Sequence, residues 1–278
     1  MRSPALKCSA VLCVLDEIDL IERSIEALTA LSVDQVIVID GGSTDGTYEY
    51  LTAQPDIEVE QVRGKGLLAQ RLHGIRKAKS ETVLFIDVDD EISPPAFSQA
   101  LNQLATEKDL DGLQFQLRTP LRTYWEAGWD AYFAVISSPG ARVVLLGRPS
   151  LTWRHKLPNL TEDPPQGIFA EDTWIFYQER HKNRVYRVSP SVSVRKTPLT
   201  LKTNVQQFWR YGRADSSLSV SLRISLDLYV HAGLRILFAR SVAAVGIGKA
   251  KYVPLFIIHG LVRAVSHFYY DMKKMGRS

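Results

Sequence analysis

Over its first ninety residues the chain alternates short uninterrupted apolar runs with segments of helical period, and two of those runs end in a carboxylate. Ala10 to Leu15 reads as a buried strand, and Asp16 to Leu31 as a helix with Leu20, Ile21, Ile25, Leu28 and Leu31 on one side. Gln35 to Asp40 is a second buried strand, followed by a glycine-rich turn and a short helix. Glu58 to Val62 reads as a third strand, Leu67 to Ala78 as an amphipathic helix, and Thr82 to Asp87 as a fourth strand. Apolar strands without alternation, each separated from the next by a helix, predict an α/β fold with a mostly parallel sheet covered on both faces. Ligands of such sheets sit at the carboxyl ends of the strands, near a topological switch point. Asp40 and Asp87 occupy two such ends.

From about Pro94 the pattern changes. A helix (Pro94 to Thr106) leads to a strand (Leu113 to Thr119), an aromatic stretch (Tyr124, Trp125, Trp129, Tyr132, Phe133), the segment Arg142 to Leu146, and a proline-rich loop from Leu157 to Gly167. Such a loop in a domain is more often a lid or binding loop than filler. After Pro198 the chain reads as helices, so the expected division is an α/β domain over 1–198 and a helical region over 199–278.

Composition narrows the class. With 278 residues, 45% of them hydrophobic and 23% charged, the chain can bury a full core. A net charge of +4 is too mild for a nucleic-acid signature. Cys8 and Cys13, five positions apart in the first strand, point to opposite faces and suit a reducing cytosol. No secretory signal is read at the start, and no stretch reaches the roughly 18 uncharged apolar residues that span a bilayer. The expected location is therefore cytoplasmic.

Three segments carry chemistry. In Phe85-Ile86-Asp87-Val88-Asp89-Asp90-Glu91, four acids fall within five positions. Crowding of that kind is costly unless a cation neutralises it, and hard carboxylate oxygens suit Mg²⁺ or Mn²⁺. In Ile39-Asp40-Gly41-Gly42-Ser43-Thr44-Asp45-Gly46-Thr47, the glycines permit a tight turn and a close approach to a ligand, and Asp40 could accept hydrogen bonds from a base N–H. Gly64-Lys65-Gly66 and Gln70-Arg71-Leu72-His73-Gly74 lack P-loop spacing, although Lys65 or Arg71 could offset donor charge.

Together these segments resemble family 2 glycosyltransferases of the GT-A fold. Members read V-Y-N-E-E after the first strand, then V-D-D-G-S-T-D-G-T, an A-R-N-x-G-like helix, and F-L-D-A-D-D. Here the counterparts are Val14-Leu15-Asp16-Glu17-Ile18, Ile39 to Thr47, Gln70 to Gly74, and Phe85 to Asp90, in the same order over roughly residues 8 to 97. The resemblance implies that Val14, Asp16, Glu17 and Asp40 line the nucleobase and ribose pocket, with Arg71 beside the base. It further implies that Asp87 and Asp89 form the D-x-D pair, Asp87 also serving the nucleotide and Asp89 ligating the metal directly. Leu15 for Tyr, Asp16 for Asn, Ile18 for Glu and Gly41 for Asp are departures that leave the base unidentified.

Ala170-Glu171-Asp172-Thr173-Trp174 looks like the E-D motif of inverting members, whose Asp takes the acceptor's proton. Asp172 is favoured over Glu171, and Glu162 and Asp163 are rivals. His155 could be a third metal ligand or touch the acceptor. Gln206 to Arg213 resembles the basic-aromatic helix after the catalytic domain of many members, so Arg210 or Arg213 could reach the diphosphate. Leu222 to Lys274 interleaves basic and aromatic residues on apolar segments. That suits an anionic membrane surface, or otherwise a helical subdomain or dimer interface. The expected function is inverting, metal-dependent transfer of a sugar from a UDP, GDP or dTDP donor to a glycan or lipid-linked acceptor at the inner face of the cell membrane, in polysaccharide or glycolipid assembly. A sugar-phosphate nucleotidyltransferase is disfavoured by Asp16 and Glu17 standing where a phosphate loop would lie. A non-catalytic nucleotide-sugar-binding protein is disfavoured by the presence of Asp87, Asp89 and Asp172.

Overall fold

Strands β1 (Cys8–Val14), β2 (Gln35–Asp40), β3 (Glu58–Gln61) and β4 (Thr82–Ile86) run parallel in the spatial order β3-β2-β1-β4. The computed structural model describes residues 6–143, 146–147, 149–157, 167–169, 171–178, 182–221 and 240–275. Every residue of β1 and β4 is buried, as the absence of alternation predicts for strands covered on both faces. Ala10, Leu12 and Val14 share a core with Ile21, Ile25 and Leu28 of α1 (Ile18–Ala30) and with Phe97, Ala100 and Leu104 of α4 (Pro94–Thr106). The opposite face of the sheet packs on α3 (Gly66–Lys77), and α2 (Thr47–Thr52) joins β2 to β3.

The chain leaves β1 toward β2 and β3, then returns to place β4 on the other side of β1. The switch point therefore falls between β1 and β4, and their carboxyl ends are Val14 and Ile86. The sheet continues beyond β4 as β8-β6-β9-β5, with β7 also on β9. These are β5 (Asp90–Ile92), β6 (Gly112–Arg118), β7 (Arg142–Val143), β8 (Ser150–Trp153) and β9 (Tyr186–Arg195). Strand β8 is antiparallel to both β4 and β6, and β5 is antiparallel to β9. The sheet is thus mixed, parallel from β3 to β4 and antiparallel at β8, β7 and β5. Cys8 and Cys13 are both buried and free, and burial pushes the Cys8 thiol up to about 12.

The chain divides into two compact units. The first comprises Met1–Arg118, Pro139–Gln166 and Glu171–Lys196, and holds the whole sheet and α6 (Glu171–Gln178). The second is more than a C-terminal appendage, since Thr119–Ser138 and Gly167–Ala170 join Thr197–Ser278 in it. It contains α5 (Tyr124–Ile136), α7 (Leu201–Ser221), α8 (Ser241–Gly246) and α9 (Val253–Met275). The aromatic stretch explains this membership. Trp129 and Tyr132 of α5 pack edge-on against Phe208 of α7, and Tyr132 does the same against Phe256 of α9. His259 stacks on Phe208 at 3.7 Å and bonds Asn204 through Nε2, and burial lowers its pKa to about 3, so it is a neutral core group. Arg263 of α9 makes two hydrogen bonds to Asp215 of α7, at 2.6 and 2.7 Å. Of the proline-rich loop, residues 158–166 lie outside the described residues, as do Glu162 and Asp163, residues 144–145 and residues 222–239.

Helix α3 reaches the sheet through a glycine. A Cβ at Gly74 would collide with Val11 of β1 and meet Ile39 of β2 at 3.5 Å. Gly74→Ala adds helix propensity but overpacks this contact, so a net loss of about 1–2 kcal/mol is expected. It should be read as a lower urea midpoint at unchanged slope.

Candidate active site

The loops after β1 and β2 are laced together by hydrogen bonds from backbone amides to short polar side chains. Asp16 N donates to Ser43 Oγ at 2.9 Å, Glu17 N to Thr47 Oγ1 at 2.9 Å, and Ile18 N to Asp45 Oδ2 at 3.0 Å. In return, Thr44 N donates to Asp16 Oδ1 at 2.8 Å, and Gly41 N to the carbonyl of Val14 at 2.8 Å. Gly42 and Gly46 turn the second loop at φ of 104° and 100°, values that favour glycine, while Asp16 adopts a φ of 54°. Leu15 and Ile18 are exposed on the first loop, 53% and 39%.

Asp40 is the hub beneath this lacing. Its side chain is wholly buried and accepts from Gly42 N, Ser43 N, Ser43 Oγ and Gln61 Nε2. Burial alone would raise its pKa, but the Ser43 hydroxyl, the Gln61 amide and the two backbone amides outweigh that and hold the carboxyl below the usual range. In this structure Asp40 therefore binds its own turn, and the exposed members of the set are Asp16, Leu15 and Ile18. Val14 is buried and contributes its carbonyl, and Glu17 is half-buried.

Across the switch point, β4 ends in a tight turn closed by Asp90 N donating to the carbonyl of Asp87 at 3.0 Å. The turn brings one oxygen each of Asp87, Asp89 and Asp90 within 4.8 Å of one another. Three hard carboxylate donors at that spacing fit Mg²⁺ or Mn²⁺. Asp90 is the member that the D-x-D pattern passes over. It opens β5, whose pairing with β9 sets Asp90 against Arg195. Strand β9 clamps the turn further: Arg195 Nη2 lies 2.6 Å from Asp89 Oδ2, and Lys196 N donates to the Asp89 carbonyl. The basic end of β9 carried no motif, so sequence reasoning did not find it.

Arg71 ties this turn to α6. Its side chain is 1% exposed; Nη2 donates to Asp87 Oδ1 at 2.9 Å and Nε to Glu171 Oε1 at 3.3 Å, while Nη1 is buried with no hydrogen-bond partner. A buried guanidinium requires such compensation. The structure thus separates the two acids of the E-D pair. Glu171 is buried against Arg71, whereas Asp172 is half-buried on the same helical turn, with Oδ1 accepting from Thr173 N at 2.7 Å.

Of the remaining candidates, Lys65 is exposed just before α3. His155 belongs to a short turn after β8, and the antiparallel pairing of Thr82 with Trp153 sets that turn at the start of β4. The full length of β4 therefore lies between that turn and Asp87, and His155 is not among the three clustered carboxylates. Arg210 and Arg213 are exposed on α7 in the second unit, with the Arg213 guanidinium 3.7 Å from the Phe169 ring centre.

A central, mostly parallel sheet flanked by helices is the plan of the GT-A fold. Within that class, the chain belongs to glycosyl transferase family 2, whose family model matches residues 9–170. It is 33% identical over 84 residues to the uncharacterized glycosyltransferase YibD of Escherichia coli, a match covering 29% of this chain and 24% of that protein. The matched stretch is therefore only about a quarter of YibD's length. Among solved structures, the mannosyltransferase PcManGT of Pyrobaculum calidifontis, in complex with GDP-Man and Mn²⁺, is similar with a TM-score of 0.65 at 15% identity. That similarity covers 96% of this chain and 88% of PcManGT. TarS 1-349 of S. aureus, in complex with UDP-GlcNAc, is similar with a TM-score of 0.55 at 13% identity, covering 98% of this chain and 93% of that one.

The depressed pKa of Asp40 gives a test of its role as hub. A carboxyl lowered on folding contributes stability that is fully present above its unfolded value, about 4, and is lost as pH falls through the folded value. Asp40→Asn should cost about 1–3 kcal/mol at neutral pH, with the gap to wild type narrowing below about pH 4 in urea titrations.

Proposed function

We propose that the protein is an inverting glycosyltransferase that moves a sugar from a nucleoside-diphosphate donor to an acceptor hydroxyl. The observation that carries this reading is the three-carboxylate turn at the switch point, tied through Arg71 to the helix that bears Asp172. Asp87, Asp89 and Asp90 are the side chains that would hold Mg²⁺ or Mn²⁺ with the donor diphosphate. When bound, the metal supplies charge neutralisation to the leaving nucleotide.

The nucleoside lies on the laced loops, with Asp16 and Glu17 at the ribose and base and with Leu15 offering an apolar face where family members carry Tyr. Asp40 and Arg71 act from beneath: Asp40 fixes the loop, and Arg71 holds Asp87 and Glu171 in place. Lys65, Arg210 and Arg213 are candidate partners of the diphosphate. The nucleotide is UDP, GDP or dTDP. The complexes of PcManGT with GDP-Man and of TarS with UDP-GlcNAc support a nucleotide-sugar donor without choosing among them.

Asp172 serves as the general base. It removes the acceptor hydroxyl proton as the oxygen attacks the anomeric carbon and the nucleoside diphosphate departs from the opposite face. Glu171 is unsuited to that role because its carboxylate already compensates a buried guanidinium. The acceptor is a glycan or a lipid-linked acceptor, and the protein works at the inner face of the cell membrane as a peripheral protein, in polysaccharide or glycolipid assembly. Among the described residues no helix is long and apolar enough to cross a membrane.

Two substitutions test separate parts of this scheme. Asp89→Asn should abolish Mn²⁺-dependent donor binding in calorimetry while the fold survives; full transfer activity in EDTA would rule out the metal. Asp172→Asn should leave donor affinity near wild type and slow transfer by about 10² to 10⁴. An α-linked donor should give a β-linked product in the anomeric proton spectrum, and a retained configuration would remove the base assigned to Asp172.

A further inference from the structure

Helix α9 is apolar on both of its faces. Leu255, Phe256, His259, Ser266 and His267 are buried within the second unit, where Arg263 and Ser266 bond to α7. The other face points to solvent and is formed by Ile257, Ile258, Leu261, Val265, Phe268 and Met272, with Leu261 51%, Val265 57% and Phe268 65% exposed. These positions recur at helical spacing over about four turns. No carboxylate stands on this exposed face. Asp271 is turned inward, with Oδ1 accepting from Ser216 and Oδ2 lying 2.8 Å from His267 Nε2. Exposed lysines flank the helix, Lys251 before it and Lys273 in its last turn, while Lys274 of the same turn donates through Nζ to the carbonyl and hydroxyl of Ser216. Nearby in sequence, α8 and the residue after it expose Val242, Val245 and Ile247.

A stripe of this size on water is unusual unless something covers it. We propose that the exposed face of α9 is the surface that lies on an anionic bilayer, with the helix in the membrane plane. Ile257, Leu261, Val265, Phe268 and Met272 enter the interfacial zone, and the lysines at both ends bind lipid phosphates. Charge decides between a membrane and a second copy of the chain. Two α9 faces packed in either direction would bring lysine ends together with no carboxylate on the stripe to neutralise them. Anionic headgroups satisfy the same lysines. The proposal rests on the peripheral membrane contact in the functional reading above and assigns it to one helix face.

The test uses the full chain and sedimentation with vesicles of phosphatidylcholine and phosphatidylglycerol. Wild type should bind, and binding should weaken with added salt. Leu261→Gln combined with Phe268→Gln should weaken it by at least about tenfold, with unchanged circular dichroism. Leu121→Gln, which alters an exposed leucine outside α9, should bind as wild type does. Equal binding by the double variant would overturn the assignment to α9 while leaving membrane contact standing. No binding by wild type would overturn both. A wild-type dimer that becomes a monomer in the double variant, with no affinity for vesicles, would identify a second copy as the occupant and likewise overturn the proposal.

Discussion

A guanidinium removed from water is among the more expensive groups a protein can bury, and the site is arranged around one. Arg71 sits on the face of α3 that packs on the sheet, where a charged side chain of that size needs acidic partners. Its two acidic partners are Asp87, at the end of β4, and Glu171, in the first turn of α6, a hundred residues apart in sequence from Arg71 in the latter case. Removing either partner would leave an under-compensated buried charge. The acidic turn and the α6 acid pair are thereby held as parts of one electrostatic arrangement.

The acidic turn is balanced from the other side as well. Arg195 pairs with Asp89, and Glu91 lies 3.1 Å from Lys196 and 3.2 Å from Arg23. Like charges brought this close would repel strongly without such partners. The turn is therefore set by the ends of β4 and β9 and by the body of α3, all within the first unit, and it does not depend on a flexible loop for its shape.

How much of this was legible differs by residue. Strands β1, β2 and β4 were readable because burial on both faces leaves them apolar throughout, and their boundaries fell within one or two residues of the expected ones. Strand β9 was not readable in that way. The side chains it buries include Ser189, Ser191 and Ser193, whose hydroxyls bond to Gln103, Gln99 and the Glu91 carbonyl, so its inner face carries no apolar period. Strand β5 was hidden inside the acidic run, because three residues beginning with a buried aspartate carry no strand signal. The motif positions were legible, but the burial of their side chains was not. Nothing in Asp40 or Arg71 as letters shows that both are buried, because that depends on contacts from Gln61 and Glu171 that lie far along the chain.

The lacing of the two loops has a bearing on how such a site can diverge. Ser43, Asp45 and Thr47 hold the backbone of the first loop through amides that every residue other than proline possesses. The outward side chains Leu15 and Ile18 are absent from that set of bonds. Substitution at those two positions can therefore change the face that the loop presents while the loop keeps its path. A chain built this way separates the part of a loop that must stay constant from the part that is free to drift.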